Sequence, residues 1–222
     1  MFRKLVTVLS NHSALRKKSK SLPDYGSWTA QDKKDLGDLF ETFNVLQGYG
    51  LAAPQIGILK RAIVVNLRAL GVSSEENAVM INPIMETWGS DQRNEEACFS
   101  VPYVSAKVTR PSHCKVSYIT LEGEAAELEF VGFPAACIQH EIDHLDGKLY
   151  IDRVGAVYRG MLLKKVKKAH DKIIREERKA KEEFDREHQE FYGTKSNKEK
   201  TTHTRKRKPK ARKKRPRRSK KK

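Results

Sequence analysis

Leu36, Leu39, Phe40, Phe43 and Leu46 recur at helical spacing and predict an amphipathic helix over 29–47. Thr29 and Asp32 form a capping-box start, and Gly48-Tyr49-Gly50 supplies the stop. The apolar runs at 62–67 and 78–82 read as short buried strands. Segments 115–121 and 127–131 read as a hairpin: Leu128 and Phe130 alternate with Glu127 and Glu129, and Glu122-Gly123 gives the turn. Pro134 suits a first helical turn and Gly147 a helix end, so a second helix lies between them. Residues 158–192 form a charged helix that is apolar on only part of its surface, and no internal repeat is present. From residue 193 the Lys/Arg/Pro-rich sequence has nothing with which to bury a core, and predicts disorder. The chain thus reads as an α+β domain over 1–157, a charged helix over 158–192 and a basic tail over 193–222.

Charge sharpens that division. The 222 residues carry net +17, of which 193–222 contribute +16. Residues 1–157 sum to −2, which excludes a uniformly basic nucleic-acid-binding domain. No apolar run approaches the roughly 20 residues of a membrane span, so no membrane partner is expected. Three scattered cysteines, Cys98, Cys114 and Cys137, do not make a disulfide framework and fit a reducing compartment. The acid-free, basic N-terminus has the look of a transit peptide, a reading that the family resemblance below rejects.

His140-Glu141-Ile142-Asp143-His144 is an H-E-x-x-H. On a helix its two imidazoles share a face and can reach one metal ion, with Glu141 beside them. The alternative is two surface histidines on an acidic helix, although Ala135, Ala136, Cys137 and Ile138 make that helix apolar just before them. A catalytic site needs a third ligand. In a metzincin-like protease this would be a histidine where Tyr150 stands; in a gluzincin-like one, a glutamate such as Glu176 or Glu177, both in the charged helix. Cys98, within Glu95-Glu96-Ala97-Cys98-Phe99-Ser100, is the better candidate.

Three segments in order carry a family resemblance: Gly48-Tyr49-Gly50-Leu51-Ala52-Ala53-Pro54-Gln55, Glu96-Ala97-Cys98-Phe99-Ser100 and Gln139-His140-Glu141-Ile142-Asp143-His144. They resemble the three motifs of peptide deformylases, and the likeness spans about residues 4–155, with 11–19 resembling the family's opening strand and turn. The resemblance implies small mixed or antiparallel sheets around a central metal-binding H-E-x-x-H helix. It implies removal of the formyl group from the N-terminal formyl-methionine of nascent chains, with release of formate. Cys98, His140 and His144 would hold one divalent ion, natively Fe2+, with Zn2+, Ni2+ or Co2+ as alternatives, and Glu141 would act as general base and acid. The Gln55 amide and the Phe99 N–H would stabilise the oxyanion. Gly50 would admit the substrate backbone, and Tyr49, Ala136 and Cys137 would border the methionine pocket. The family often has an arginine where Arg110 stands, for which Asp143 is a candidate partner.

This chain departs from the family pattern in three places. Ala97 replaces a glycine, which would cost roughly 1 kcal/mol if that position needs φ > 0. Phe99 replaces a leucine, and Ser105 replaces an arginine that in many bacterial members contacts substrate.

The tail 205–222 has no aromatic residue and predicts phosphate attraction without base stacking, as in a ribosomal RNA anchor. A monomer in the cytoplasmic compartment of bacterial-type translation, from a cell or a virus, fits these features. Two other readings compete: a zinc endopeptidase using the same H-E-x-x-H, and a nucleic-acid-binding protein with an inactive deformylase-like domain. Cys98 as third ligand argues against the first, and intact Gln55 and Glu141 against the second.

Overall fold

The Thr29 hydroxyl accepts a hydrogen bond from the Asp32 N–H, and the Asp32 carboxylate accepts one from the Thr29 N–H. Helix α1 (Ala30–Leu46) therefore starts at the capping pair and ends at Gln47, whose left-handed backbone (φ 52°) lets its N–H reach Phe43 O. Its apolar stripe of Leu36, Leu39 and Phe43 is buried. Asp32, Asp35 and Asp38, also buried, are held by Arg3, Lys34 and Lys60.

The computed structural model describes residues 1–74 and 77–200. Strands β1 (Gly50–Ala52), β2 (Ala62–Asn66), β3 (Asn77–Cys98), β4 (Val101–Ile119) and β5 (Ala125–Val131) make one antiparallel sheet in the order β1-β2-β3-β4-β5. A single sheet replaces the several small ones expected, because β3 and β4 run 22 and 19 residues, far beyond their apolar stretches. Their polar middles are paired backbone to backbone, which needs no apolar pattern. Bulges at Ile81/Ile84, Trp88/Asp91 and Ala97/Cys98 break the pairing register of this long pair.

Strand β2 explains its own unbroken apolar sequence. Ala62 and Val64 face a core built with α1, while Ile63 and Val65 face a second core built with helix α2 (Phe133–Leu145). Both faces are covered from Ala62 to Val65, and all four of these positions are apolar; the half-buried Asn66 ends the strand. Pro134 sits in the first turn of α2, as expected, and Gly147 follows its end with φ 71°.

Three boundaries differ from the sequence reading. Segment 11–19 forms turns and a short 3-10 helix (Ala14–Arg16) rather than a strand, with the Asn11 side chain accepting from the Ala14 N–H. Helix α3 (Ala156–Lys200) buries Leu162 and Val166 beside Leu15, Val101 and Tyr150, so the first compact unit runs Met1–Asp171, past the expected boundary at 157. The helix also includes residues 193–200, expected to be tail; residues 201–222 lie outside the described residues. The second unit starts at Lys172, and its described side chains are mostly charged and largely exposed, the apolar Ile174 and Phe184 among them. Among the described residues, no helix is long and apolar enough to cross a membrane.

Candidate active site

The pairing of Cys98 with Val101 closes the β3–β4 hairpin on two residues and sets Cys98 at its tip. Helix α2 brings His140 and His144, one turn apart, to the same place. The Cys98 Sγ lies 3.2 Å from His144 Nε2, and donor atoms of Cys98, His140 and His144 all fall within 4.8 Å of one another.

A carboxylate backed by arginines fixes His140, whereas the buried Nδ1 of His144 has no hydrogen-bond partner among the described residues. The His140 Nδ1–H donates to Glu96 Oε2 at 2.7 Å, which leaves Nε2 as the ring's free nitrogen. Arg110, fully buried, donates to both Glu96 oxygens at 2.5 and 2.9 Å and to Asp143 Oδ2 at 2.8 Å. Arg153 grips Asp143 with two bonds of 2.6 Å. Tyr150, at the position where a metzincin would carry histidine, stacks on the His140 ring at 5.9 Å between centroids. Burial opposes ionisation of Glu96, but Arg110 and His140 outweigh it and hold the carboxyl below its ordinary range.

Glu141 stands beside this cluster. Burial pushes its carboxyl up to about 7, and its Oε2 has no hydrogen-bond partner. The Gln55 Oε1 accepts from the Ala52 N–H at 2.7 Å, so the amide nitrogen is turned inward, 3.4 Å from Cys98 Sγ. The turn after Pro54 and the inward-facing donor are both present, and Gln55 is buried. The donor set of one thiol and two imidazoles, buried together with an unpartnered carboxylate oxygen alongside, fits a borderline-soft divalent ion.

One cavity of about 740 Å³ gathers the expected residues: Gly50, Gln55, Cys98, Phe99, His140 and Glu141 line it, and His144 lies behind. Tyr49, Ala136 and Cys137 line it together with Phe133, whose ring meets that of Tyr49 edge-on at 5.1 Å. The room at Gly50 is used by the protein itself: a Cβ there would lie 2.6 Å from Glu141 Cγ. The departures from the family pattern are accommodated. Ala97 does not adopt left-handed backbone, so its methyl adds no such strain. The Phe99 ring lies over Gly48, where a Cβ would come within 2.8 Å of it.

A model of polypeptide deformylases matches residues 3–159 of this sequence. The chain belongs to the peptide deformylase family. This is a family of enzymes that remove N-formyl groups from nascent peptides. The peptide deformylase of Bartonella tribocorum is 42% identical over 134 residues, covering 59% of this chain and 75% of its own length. That of Xylella fastidiosa is 43% identical over 135 residues, 60% of this chain and 76% of its own. The crystal structure of a Legionella pneumophila deformylase superposes with a TM-score of 0.68 at 30% identity, covering 79% of this chain and 99% of that one. The Ehrlichia chaffeensis deformylase in complex with actinonin gives a TM-score of 0.66 at 30% identity, covering 76% and 97%.

Sequence reasoning left out Glu96 as the partner of His140, and Arg153 as the second arginine on Asp143. The signal for Arg110 was available. It continues the buried register of Ala106 and Val108 in β4, between exposed Lys107 and Thr109, and a charge in that register needs a buried partner.

Proposed function

We propose that this chain deformylates N-formyl-methionyl peptides at the cavity just described, through Cys98, His140 and His144 as ligands of one divalent cation, natively ferrous iron. A cation held there supplies Lewis-acid polarisation of the formyl oxygen and a water activated near neutral pH. Glu141 takes a proton from the attacking water as its oxygen bonds to the formyl carbon. The same carboxyl then delivers that proton to the amine nitrogen as the C–N bond breaks, giving formate and a free N-terminus. The Gln55 Nε2 and the Phe99 N–H donate to the oxygen that gains negative charge; one such donor is worth roughly 2.7–4 kcal/mol of barrier. Gln55 cannot present its acceptor instead, because Ala52 holds it. Tyr49, Phe133, Ala136 and Cys137 receive the methionine side chain. Glu96 orients His140, and Arg110 orients Glu96.

The observation that carries this reading is the gathering of one thiol and two imidazole donors within 4.8 Å beside a buried carboxylate with an unpartnered oxygen. Formate release from formyl-Met-Ala-Ser by protein purified with its metal is the test. No formate from metal-replete protein, or cleavage of internal bonds in unformylated peptides, would reject it. We also propose that the chain works as a monomer in the compartment of bacterial-type translation, with its basic C-terminal residues on ribosomal RNA.

A further inference from the structure

Beside the cavity that holds Glu141 lies a second, of about 490 Å³, and the two share a wall. Glu95 and Ser105 line both, and the Ser105 hydroxyl donates to Glu95 Oε1 at 2.6 Å. Here β3 and β4 pair with Ala97 opposite Ser105, Glu95 opposite Lys107 and Arg93 opposite Thr109. Alternation puts Arg93, Glu95 and Lys107 on the exposed face of the pair, and Glu96, Val108 and Arg110 on the buried one. The second cavity thus carries Arg93, Lys107 and Arg153 against one lining carboxylate, Glu95. Arg153 is occupied by Asp143, whereas Arg93 and Lys107 make no ion pair among the described residues.

We infer that this annex takes an acidic side chain from the third to fifth residue of the substrate peptide, an inference that rests on the deformylase reading of the first cavity. The groove leads there. The first cavity runs from Gly50 and Glu141 past Cys98 to Glu95 and Ser105, where the second begins. An extended strand rises about 3.3 Å per residue, so Glu95 and Arg93 stand about 10 and 16 Å along β3 from Cys98. A peptide extended from its formyl end at Cys98 covers that distance with its third to fifth residues. Among the described residues, Arg93 and Lys107 are the cations without an ion pair that it meets there, beside Glu95 and Arg153, which are held by Ser105 and Asp143, and no substrate-binding role assigned above depends on them.

The test uses the full chain loaded with its metal and three peptides: formyl-Met-Ala followed by three Glu, three Ala or three Lys. Each kcat/KM is divided by that for formyl-Met-Ala, which is too short to reach the annex. The acidic peptide should exceed the neutral one by about 3–10-fold, mainly through KM, and the basic one should fall below it. The double variant Arg93→Glu/Lys107→Glu should reverse that order. The basic C-terminal residues attract acidic peptides too, but they are common to both proteins, so the reversal assigns the effect to the annex. Fluorescence anisotropy of labelled, unformylated Met-Ala-Glu-Glu-Glu should show weaker binding to the double variant. Equal ratios for the three peptides would overturn the inference, as would a preference that survives the charge reversal. An RNA oligonucleotide that loses affinity in the variant while peptide ratios hold would assign the annex to nucleic acid instead. If formyl-Met-Ala itself yields no formate, the deformylase reading falls, and the anisotropy difference alone decides whether the annex takes acidic peptides.

Discussion

The space that Gly50 leaves empty is occupied by Glu141: an added Cβ would meet Glu141 Cγ at 2.6 Å and Oε1 at 2.8 Å. Gly50→Ala should therefore push the carboxylate out of place and lower kcat by about 10²-fold, the usual cost of misplacing a reacting group by an ångström. Bound metal should stay near one ion per chain. Wild-type kcat in this variant would show that Glu141 need not stand where it does.

Glu141→Gln keeps the size of the side chain and removes its ability to take a proton. Near-complete loss of formate release with unchanged metal content is expected. Metal analysis on the preparation used for kinetics separates this from simple loss of the ion. Comparable turnover would take Glu141 out of the acid–base role.

Glu96→Gln weakens the hydrogen bond that orients His140, and metal affinity should drop about 10–100-fold in a competition titration with a chelator. Arg110→Met acts on folding instead. It leaves Glu96 and Asp143 buried with their main counter-charge gone, at a cost of about 3–5 kcal/mol in a urea titration. A stability change within error would mean that Arg153 alone neutralises the cluster.

Acid should weaken the ion pairs that hold the N-terminal helix. The Lys60 ammonium, then Thr29, lowers the Asp32 carboxyl from 3.8 to about 2, and Lys34 with the N-terminal amine depresses Asp38 further. A carboxylate whose folded pKa lies below its unfolded one contributes fully above the unfolded value, and that contribution is lost as pH falls toward the folded value. The thermal midpoint should thus decline as pH drops from about 4 to about 2, and Asp32→Asn should flatten the decline. An identical slope in the variant would remove Asp32 from the account.

Removing residues 201–222 deletes 14 Lys/Arg and no acid while keeping every described residue of α3. Turnover of formyl-Met-Ala-Ser should be nearly unchanged, since no residue of the site lies there. Ribosome co-sedimentation should weaken. If about 6–10 cations engage phosphate, full-length binding should fall roughly 10³–10⁵-fold between 50 and 200 mM salt, and the truncated protein should be much less sensitive. Equal, salt-insensitive binding by both proteins would reject the RNA anchor.

What the sequence made legible depended on how local each signal was. Thr29 and Asp32 act within one helical turn, and the apolar run of β2 reports directly that both its faces are covered. Cys98, His140 and Glu141 could be picked out because their residue types are uncommon at such spacing. The lengths of β3 and β4 were hidden, because Trp88 to Arg93 sits on a mostly exposed stretch whose polar positions are paired through the backbone and carry no alternating apolar pattern. The pairing of Arg110 with Glu96 was hidden for a different reason. The two lie on neighbouring strands, and a charge shows its burial only when the alternation of its neighbours is followed through it.

The two-residue closure between Cys98 and Val101 also bears on how the site assembles. Hairpins of this kind zip from the turn outward on a microsecond scale, because each new contact is close in sequence to the last. Cys98, Glu96 and Arg110 thereby come together in one local event, with the thiol and the carboxylate already fixed relative to each other. His140 and His144 reach them only when α2 closes against the sheet, a step that bridges more than thirty residues of chain. A metal ion presented during refolding would meet a sulfur donor before either nitrogen donor. The appearance of thiolate-to-metal absorption ahead of final helix packing would be the spectroscopic trace of that order.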